Sequence, residues 1–361
     1  MAQTYLNPND YEKEIEYLLQ QLDVDHILLV CGKYLRKLPI CNWIEKLWSN
    51  PKFIITCFDE FSPNPKYDEI QKGVKIFQEN HCDFIFAVGG GSAMDVAKSI
   101  KWYGAEERKS QIPILAAPTT AGTGSEATPF AVLYKNETKY SIEDDCLLPD
   151  YVLLDSNNLI CLPIYQKKVT ICDALAHAME SYWSVHATRE SKKLATNAIE
   201  IILNDIDAYL QGDDACYEDV MRASNLAGKA IGIAKTTAAH AMSYKLTSLL
   251  EIPHGHAVML CLPEVWEFMQ TKLETCKNKA EWEPLEETLN LLAGHFGKAN
   301  QKDAIVFLKQ LRSQLNLGLP KKIENSWLDL LVSSVNNQRL ENFPIALNKE
   351  ELKEIYQKIL F

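Results

Sequence analysis

The chain has no C-x-x-C pair, no opening in which basic residues precede an apolar core, and no apolar run near the roughly 18 residues of a membrane span. Without paired C-x-x-C spacings, ten scattered cysteines among 361 residues read as reduced, mostly buried thiols of a cytoplasmic protein, not as a disulfide framework. The other two absences exclude a signal peptide and a membrane helix. Basic charge is short as well: 37 Lys and Arg stand against 48 Asp and Glu, a net charge of −11. That balance argues against nucleic acid or an anionic membrane surface as the main partner, while leaving room for a small anion at a local basic site. Glycine and proline, at 15 each, are too few for a fibrous or low-complexity chain.

What is present is enough apolar material, 47% of residues, for two cores. HILLVCG (26–32), KFIITCF (52–58), DFIFAVGGG (83–91) and IPILAAPTT (112–120) are near-continuous apolar runs, the pattern of strands buried on both faces. Amphipathic stretches such as YDEIQKGVKIFQEN (67–80) lie between them, so a parallel, doubly wound α/β sheet is expected. FAVLYKNETKYSI (130–142) reads as a hairpin. Beyond residue 156 strand signals fade. Leu194, Ala198, Ile201, Ile202, Ile206 and Tyr209 share one helical face, and the rest reads as helices broken near Pro253, Pro263, Pro320 and Pro344. The expected division is residues 1–160, an α/β dinucleotide-binding domain, and 161–361, an all-α metal-binding domain. The boundary falls near 157–165, and a cleft between the domains is the default ligand site.

Two glycine loops follow predicted strands. VGGGSAMDVAK (88–98) runs from strand into helix, which lets backbone amides and the positive helix end face an anion. APTTAGTGSEAT (117–128) crowds the hydroxyls of Thr119, Thr120, Thr123 and Ser125 around Gly122 and Gly124, a polar wall suited to phosphate, ribose or nicotinamide. Ligands of open α/β sheets sit at this edge.

In CDALAHAMESYW (172–183), Asp173 and His177 stand four apart and share a helix face. His240, His254 and His256 follow in TTAAHAMSYK and IPHGHAVML. Imidazoles with one carboxylate suit a divalent first-row metal, Fe²⁺ or Zn²⁺.

GGGSAMDVAK, PTTAGTGSEAT, DALAHAMESYWS and PHGHAVMLCLP, in this order, resemble the iron-containing (group III) alcohol dehydrogenase family, over nearly the whole chain. The resemblance implies a Rossmann-like N-terminal domain with an all-helical C-terminal domain, a fold similar to dehydroquinate synthase, and reduction of aldehydes with NAD(P)H and usually Fe²⁺. Carried over by motif, Asp173, His177, His240 and His254 are the metal ligands. Gly89, Gly90, Gly91, Ser92 and Asp95 hold the pyrophosphate, Thr119, Thr120 and Thr123 line the ribose and nicotinamide, and Lys139 contacts the cofactor. Members of the family are often dimers, so a homodimer is expected.

The chain departs from the family in three places. Gly32 stands where many NAD-preferring members carry an acidic residue, and Lys33, Arg36 and Lys37 follow it, which favours NADPH over NADH. Tyr244 replaces a histidine one turn after His240; a phenol with an ordinary pKa near 10 acts there as a relay, with His256 as another route for the proton. Lys229, Lys235 and Lys245 enrich a segment that is apolar in many relatives, and Lys245 is the expected partner of a fixed negative charge on the substrate. The reading is reduction of a small anionic aldehyde. Its rivals are a broad-range alcohol dehydrogenase and, further off, a lyase of the dehydroquinate synthase type.

Overall fold

The computed structural model describes residues 3–136, 138–275, 279–320 and 327–361. The chain forms two compact units, one of residues 1–163 with 212–225, the other of 164–211 with 226–361.

The first unit contains β1 (Thr4–Leu6), α1 (Tyr11–Gln21), β2 (His26–Cys31), α2 (Cys41–Trp48), β3 (Ile54–Phe58), α3 (Tyr67–Glu79), β4 (Phe84–Gly89), α4 (Gly91–Gly104), β5 (Ile114–Pro118), β6 (Phe130–Lys135), β7 (Thr138–Glu143) and β8 (Tyr151–Leu153). Among the described residues six strands make a parallel sheet in the order β1-β8-β5-β4-β2-β3. The apolar runs have a simple cause: alternate side chains feed opposite faces. Leu29, Phe86 and Leu115 pack with Ile15, Trp43 and Leu47 on one side. Leu28, Ile85 and Ala87 pack with Ile70, Phe77, Val96 and Ile100 on the other. β6 and β7 form the expected antiparallel hairpin. β1, at three residues, is too short to show a periodicity, and the sequence gives no sign of it.

Following the chain, β2 is flanked by β3 on one side and β4 on the other, so the winding direction reverses between β2 and β4. Their carboxyl ends are where a doubly wound sheet opens a crevice. Cys31-Gly32 and Gly89-Gly90 stand there.

The second unit is helical: α5 (Ile164–Trp183), α6 (Arg189–Gln211), α7 (Tyr217–Ala234, which starts in the first unit), α8 (Ala238–Leu250), α9 (His254–Thr275), α10 (Lys279–His295), α11 (Gln301–Gln314), α12 (Trp327–Ser334), α13 (Asn337–Leu340) and α14 (Lys349–Leu360). Among the described residues no helix is long and apolar enough to cross a membrane. α5 is buried continuously from Ile171 to Trp183, which explains its alanines: a central helix needs small residues where neighbours approach. On α6 the buried face takes Ala195 and Ile199 along with Ala198, Ile202, Ile206 and Tyr209, while Leu194 and Ile201 sit at its margin.

Two expectations shift. Pro263 lies inside α9 instead of breaking it. Arg312 Nη1 donates to the carbonyl of nearby Leu260 (3.2 Å), so a side chain serves a carbonyl close to the proline. Residues 212–225, expected with the helical half, pack with the α/β unit. Asn225 explains this: it donates to Glu126 Oε1 (2.9 Å) and accepts from the Tyr5 hydroxyl (3.1 Å).

Candidate metal centre and dinucleotide loops

In the second unit the donor atoms of Asp173, His240 and His254 lie within 4.8 Å of one another. The His177 ring stacks on His240, centroids 4.6 Å apart, and the His254 ring meets His240 edge-on at 5.3 Å. Asp173 and His177 come from one face of α5, His240 from the first turn of α8, and His254 from the first residue of α9.

A glycine makes the approach of α9 possible. A Cβ at Gly255 would stand 2.0 Å from the Val169 carbonyl oxygen and 3.0 Å from Asp173 Cβ. Only glycine lets the start of α9 lie against α5 here, which brings His254 to Asp173. The glycine of PHGH is the sequence signal of this close approach.

Sequence reasoning also missed Glu180. It lies three residues beyond His177 on the same face of α5 and is fully buried. Its Oε1 accepts from the Thr237 amide (3.2 Å), the Thr237 hydroxyl (2.6 Å) and the Ala239 amide (2.9 Å), so it caps the N-terminus of α8. Its Oε2 accepts a short hydrogen bond from His240 Nδ1. That bond fixes the tautomer and turns Nε2 toward Asp173. Asp173 Oδ1 and His240 Nε2 are 3.6 Å apart, and both are buried without a hydrogen-bond partner among the described residues.

Charge reinforces the geometry. Burial opposes ionisation of Asp173, but His177, His240 and His254 outweigh it and hold its carboxyl well below the usual range. Burial likewise opposes a charged His240, yet Glu180 and Asp173 push its pKa up to about 10. Two buried carboxylates thus favour positive charge between them, carried by a proton on His240 or by a metal ion in its place. Orphaned oxygen and nitrogen donors with that preference fit a divalent first-row metal such as Fe²⁺ or Zn²⁺.

The other expected residues of this unit separate. Tyr244 stacks on His254 at 5.4 Å, with the rings 15° from parallel. His256 is buried, 2.8 Å from the Tyr165 hydroxyl through Nδ1 and 3.0 Å from the Gly318 carbonyl through Nε2. Since a carbonyl only accepts, Nε2 donates and Nδ1 accepts. Burial lowers its pKa, and both ring nitrogens are engaged by Tyr165 and Gly318. Lys245 is half-buried, five residues past His240 and so about 140° around the helix. Among the described residues its ammonium meets no partner. Lys235 has a left-handed backbone (φ 67°) and donates to the Gly232 carbonyl (3.4 Å).

In the first unit the two glycine loops touch. A Cβ on Gly91 would come within 2.8 Å of Thr123 Cγ2, and one on Gly90 within 3.2 Å of the Thr120 side chain. The Thr119 amide donates to the Gly89 carbonyl (3.0 Å), continuing the β4–β5 pairing. Gly91 and Ser92, as the first helical residues of α4, have amides with no partner inside the helix.

Lys98 holds the second loop from beneath. Fully buried, it donates to the carbonyls of Ser125 (2.5 Å), Thr128 (2.8 Å) and Phe130 (2.9 Å). Burial pushes its pKa down to about 8 against the pull of Asp95. Burial pushes Asp95 up to about 6, opposed by Lys98, Ser125 and Lys139. The Ser125 hydroxyl donates to Asp95 (3.2 Å), so Ser125 is buried within the loop. Gly32 follows β2 with open space where a Cβ would go, and Lys33, Arg36 and Lys37 are exposed after it.

Comparison with known proteins adds an independent line. The iron-containing alcohol dehydrogenase family model matches residues 2–156, and the C-terminal model of the Fe-containing alcohol dehydrogenase family matches 168–360. Aldehyde-alcohol dehydrogenase 2 of Entamoeba histolytica is 31% identical over 279 residues, 70% of this chain but only 32% of that longer protein. The NADPH-dependent butanol dehydrogenase of Clostridium saccharobutylicum is 28% identical over 326 residues, 83% of this chain and 82% of that one. The sulfoacetaldehyde reductase of Bifidobacterium kashiwanohense, solved with NAD⁺, shares the fold with a TM-score of 0.82 at 24% identity, covering 100% of this chain and 99% of that one.

Proposed function

The chain belongs to the iron-containing alcohol dehydrogenase family, and from that premise we propose that it reduces a small anionic aldehyde to the primary alcohol with NADPH, the best candidate being phosphonoacetaldehyde, converted to 2-hydroxyethylphosphonate. The observation that carries the reading is the convergence of Asp173, His240 and His254, two of whose buried donor atoms have no hydrogen-bond partner among the described residues.

In this proposal Asp173, His177, His240 and His254 hold the metal. Fe²⁺, or Zn²⁺ in its place, supplies Lewis-acid polarisation of the carbonyl, and NADPH supplies the hydride. Glu180 keeps His240 in the tautomer that presents Nε2. The amides at Gly89 to Ser92 take the pyrophosphate, with Asp95 and Ser125 bracing the loop. Thr119, Thr120 and Thr123 face the ribose and nicotinamide, with Lys139 beside them. Tyr244, stacked on His254, holds the proton that completes the alcohol. Lys245 takes the distal anionic group, because a half-buried ammonium with no ion pair among the described residues is best satisfied by a ligand.

Two variants test the finer parts. Lys245→Ala lowers kcat/KM for phosphonoacetaldehyde by about tenfold to a hundredfold, the worth of a hydrogen bond to a charged group, and leaves butyraldehyde within about twofold. Equal losses on both aldehydes would favour the broad-range rival. Gly32→Asp has room for its side chain and no strained φ to adopt. The new carboxylate repels a 2′-phosphate and accepts from a 2′-hydroxyl, so the ratio of kcat/KM for NADPH over NADH falls by about tenfold or more. An unchanged ratio would place the adenosine ribose elsewhere.

A further inference from the structure

We infer that Cys31 and Cys57 form an intramolecular disulfide when the protein meets a peroxide. The two cysteines sit on neighbouring parallel strands. Cys57 pairs in register with Leu29, and residues two apart on a strand share a face, so Cys31 and Cys57 point the same way. Their sulfurs are 3.5 Å apart. A disulfide requires about 2.05 Å between sulfurs and about 4.4–6.8 Å between Cα atoms, while a diagonal pair two residues apart in register stands about 7–8 Å apart, so closure moves the strands together as well as the sulfurs. β3 is the outermost strand of the sheet and can yield at less cost than an inner one.

The two thiols differ in ways that suit them to two roles. Cys57 is half-buried on the edge strand, while Cys31 is buried. The contact between the two sulfurs, in which either can donate, lowers the Cys57 thiol, against burial and Asp59, and raises Cys31. Two other thiols of this unit have partners: Cys41 lies near Glu45 of its own helix (3.9 Å), and exposed Cys161 donates to the Lys37 carbonyl (3.2 Å). Burial raises Cys82 to about 12, which leaves it unreactive.

The chemistry balances with hydrogen peroxide as the named oxidant. Cys57 gives up its proton, its thiolate attacks one peroxide oxygen, the O–O bond breaks, and the other oxygen leaves as hydroxide, which takes up that proton to become water, giving a sulfenic acid at Cys57. The Cys31 sulfur then attacks that sulfenic sulfur. An S–S bond forms, the S–O bond breaks, and the departing hydroxide takes the Cys31 proton as a second water. Two thiols lose two electrons, and one peroxide gains them.

Oxidation has a consequence at the sheet edge. Cys31 directly precedes Gly32, whose amide donates to the Val88 carbonyl of β4 (3.4 Å). Drawing Cys31 toward β3 pulls this end of β2 away from β4, at the crevice assigned to the dinucleotide. This consequence rests on the proposed function; the bond itself does not.

The test is peptide mapping by mass spectrometry of the full chain after graded hydrogen peroxide and alkylation. The expected product is a Cys31–Cys57 linked peptide pair, 2 Da lighter than its thiols, cleaved by dithiothreitol and absent in Cys57→Ser. In Cys31→Ser, dimedone traps a sulfenic acid at Cys57. NADPH titrated by fluorescence then binds about tenfold more weakly to the oxidised protein and recovers on reduction. Peroxide that oxidises exposed Cys161 while leaving Cys31 and Cys57 unlinked would overturn the inference. A linked pair with unaltered NADPH binding would keep the disulfide and overturn the placement of the dinucleotide beside Gly32.

Discussion

Asp173→Asn leaves the fold in place, strips the bound metal, and lowers kcat/KM for aldehyde reduction by roughly three orders of magnitude. The asymmetry follows from what Asp173 touches. Its Oδ1 is buried yet makes no hydrogen bond, so an amide of the same shape sacrifices no protein partner there. The cation, by contrast, loses the only charged donor in a set otherwise made of imidazoles. Several kcal/mol of transition-state stabilisation depends on the metal, and each 1.36 kcal/mol is about tenfold in rate. Metal per purified chain, by plasma mass spectrometry, falls from near one to below about a tenth, since the binding free energy needs the deprotonated ligand set. Circular dichroism of the metal-free parent and variant superimposes. A variant that kept its metal would remove Asp173 from the site.

Glu180→Gln weakens metal binding by about tenfold to a hundredfold, the usual effect of removing a partner that orients a ligand. The carboxylate serves four donors, one of them the His240 ring. A glutamine offers one acceptor oxygen and turns an NH₂ group either at His240 Nδ1 or at the α8 amides. One buried donor is then left facing another, at a cost of about 1–3 kcal/mol in stability. Chelator competition gives the metal affinity and thermal unfolding gives the stability. Activity returns to within severalfold of the parent at saturating metal, because Glu180 acts through His240. A purely structural role would lower the melting temperature and leave metal affinity unchanged.

The contrast between Asp173 and Glu180 shows what the sequence could reveal. Asp173, His177, His240 and His254 stood out because each is an unusual residue in an alanine-rich or glycine-rich setting, and helical spacing places two of them together. Glu180 has the same spacing from His177, but a glutamate on a helix is ordinary, and its meaning comes from Thr237, Ala239 and His240, nearly sixty residues on. Lys98 was hidden for the same reason: its partners at Ser125, Thr128 and Phe130 appear only when α4 lies under the second loop. The sheet was legible because strands buried on both faces are apolar throughout. The attachment of residues 212–225 to the α/β unit was not, since it depends on Asn225 meeting Tyr5 and Glu126. Local pattern revealed the elements and the glycine loops; contacts between distant segments decided which polar residues serve the site. For His256 too, the partners Tyr165 and Gly318 come from distant segments that no local pattern shows.

The most direct test is anomalous X-ray scattering at the iron absorption edge, from crystals of protein loaded with Fe²⁺ under anaerobic conditions. The account predicts one strong peak in the helical unit, within about 2.0–2.3 Å of an Asp173 oxygen and of His177, His240 and His254 nitrogens, with His240 Nδ1 still bonded to Glu180. A peak held by other residues, or none in protein that binds iron in solution, would contradict it.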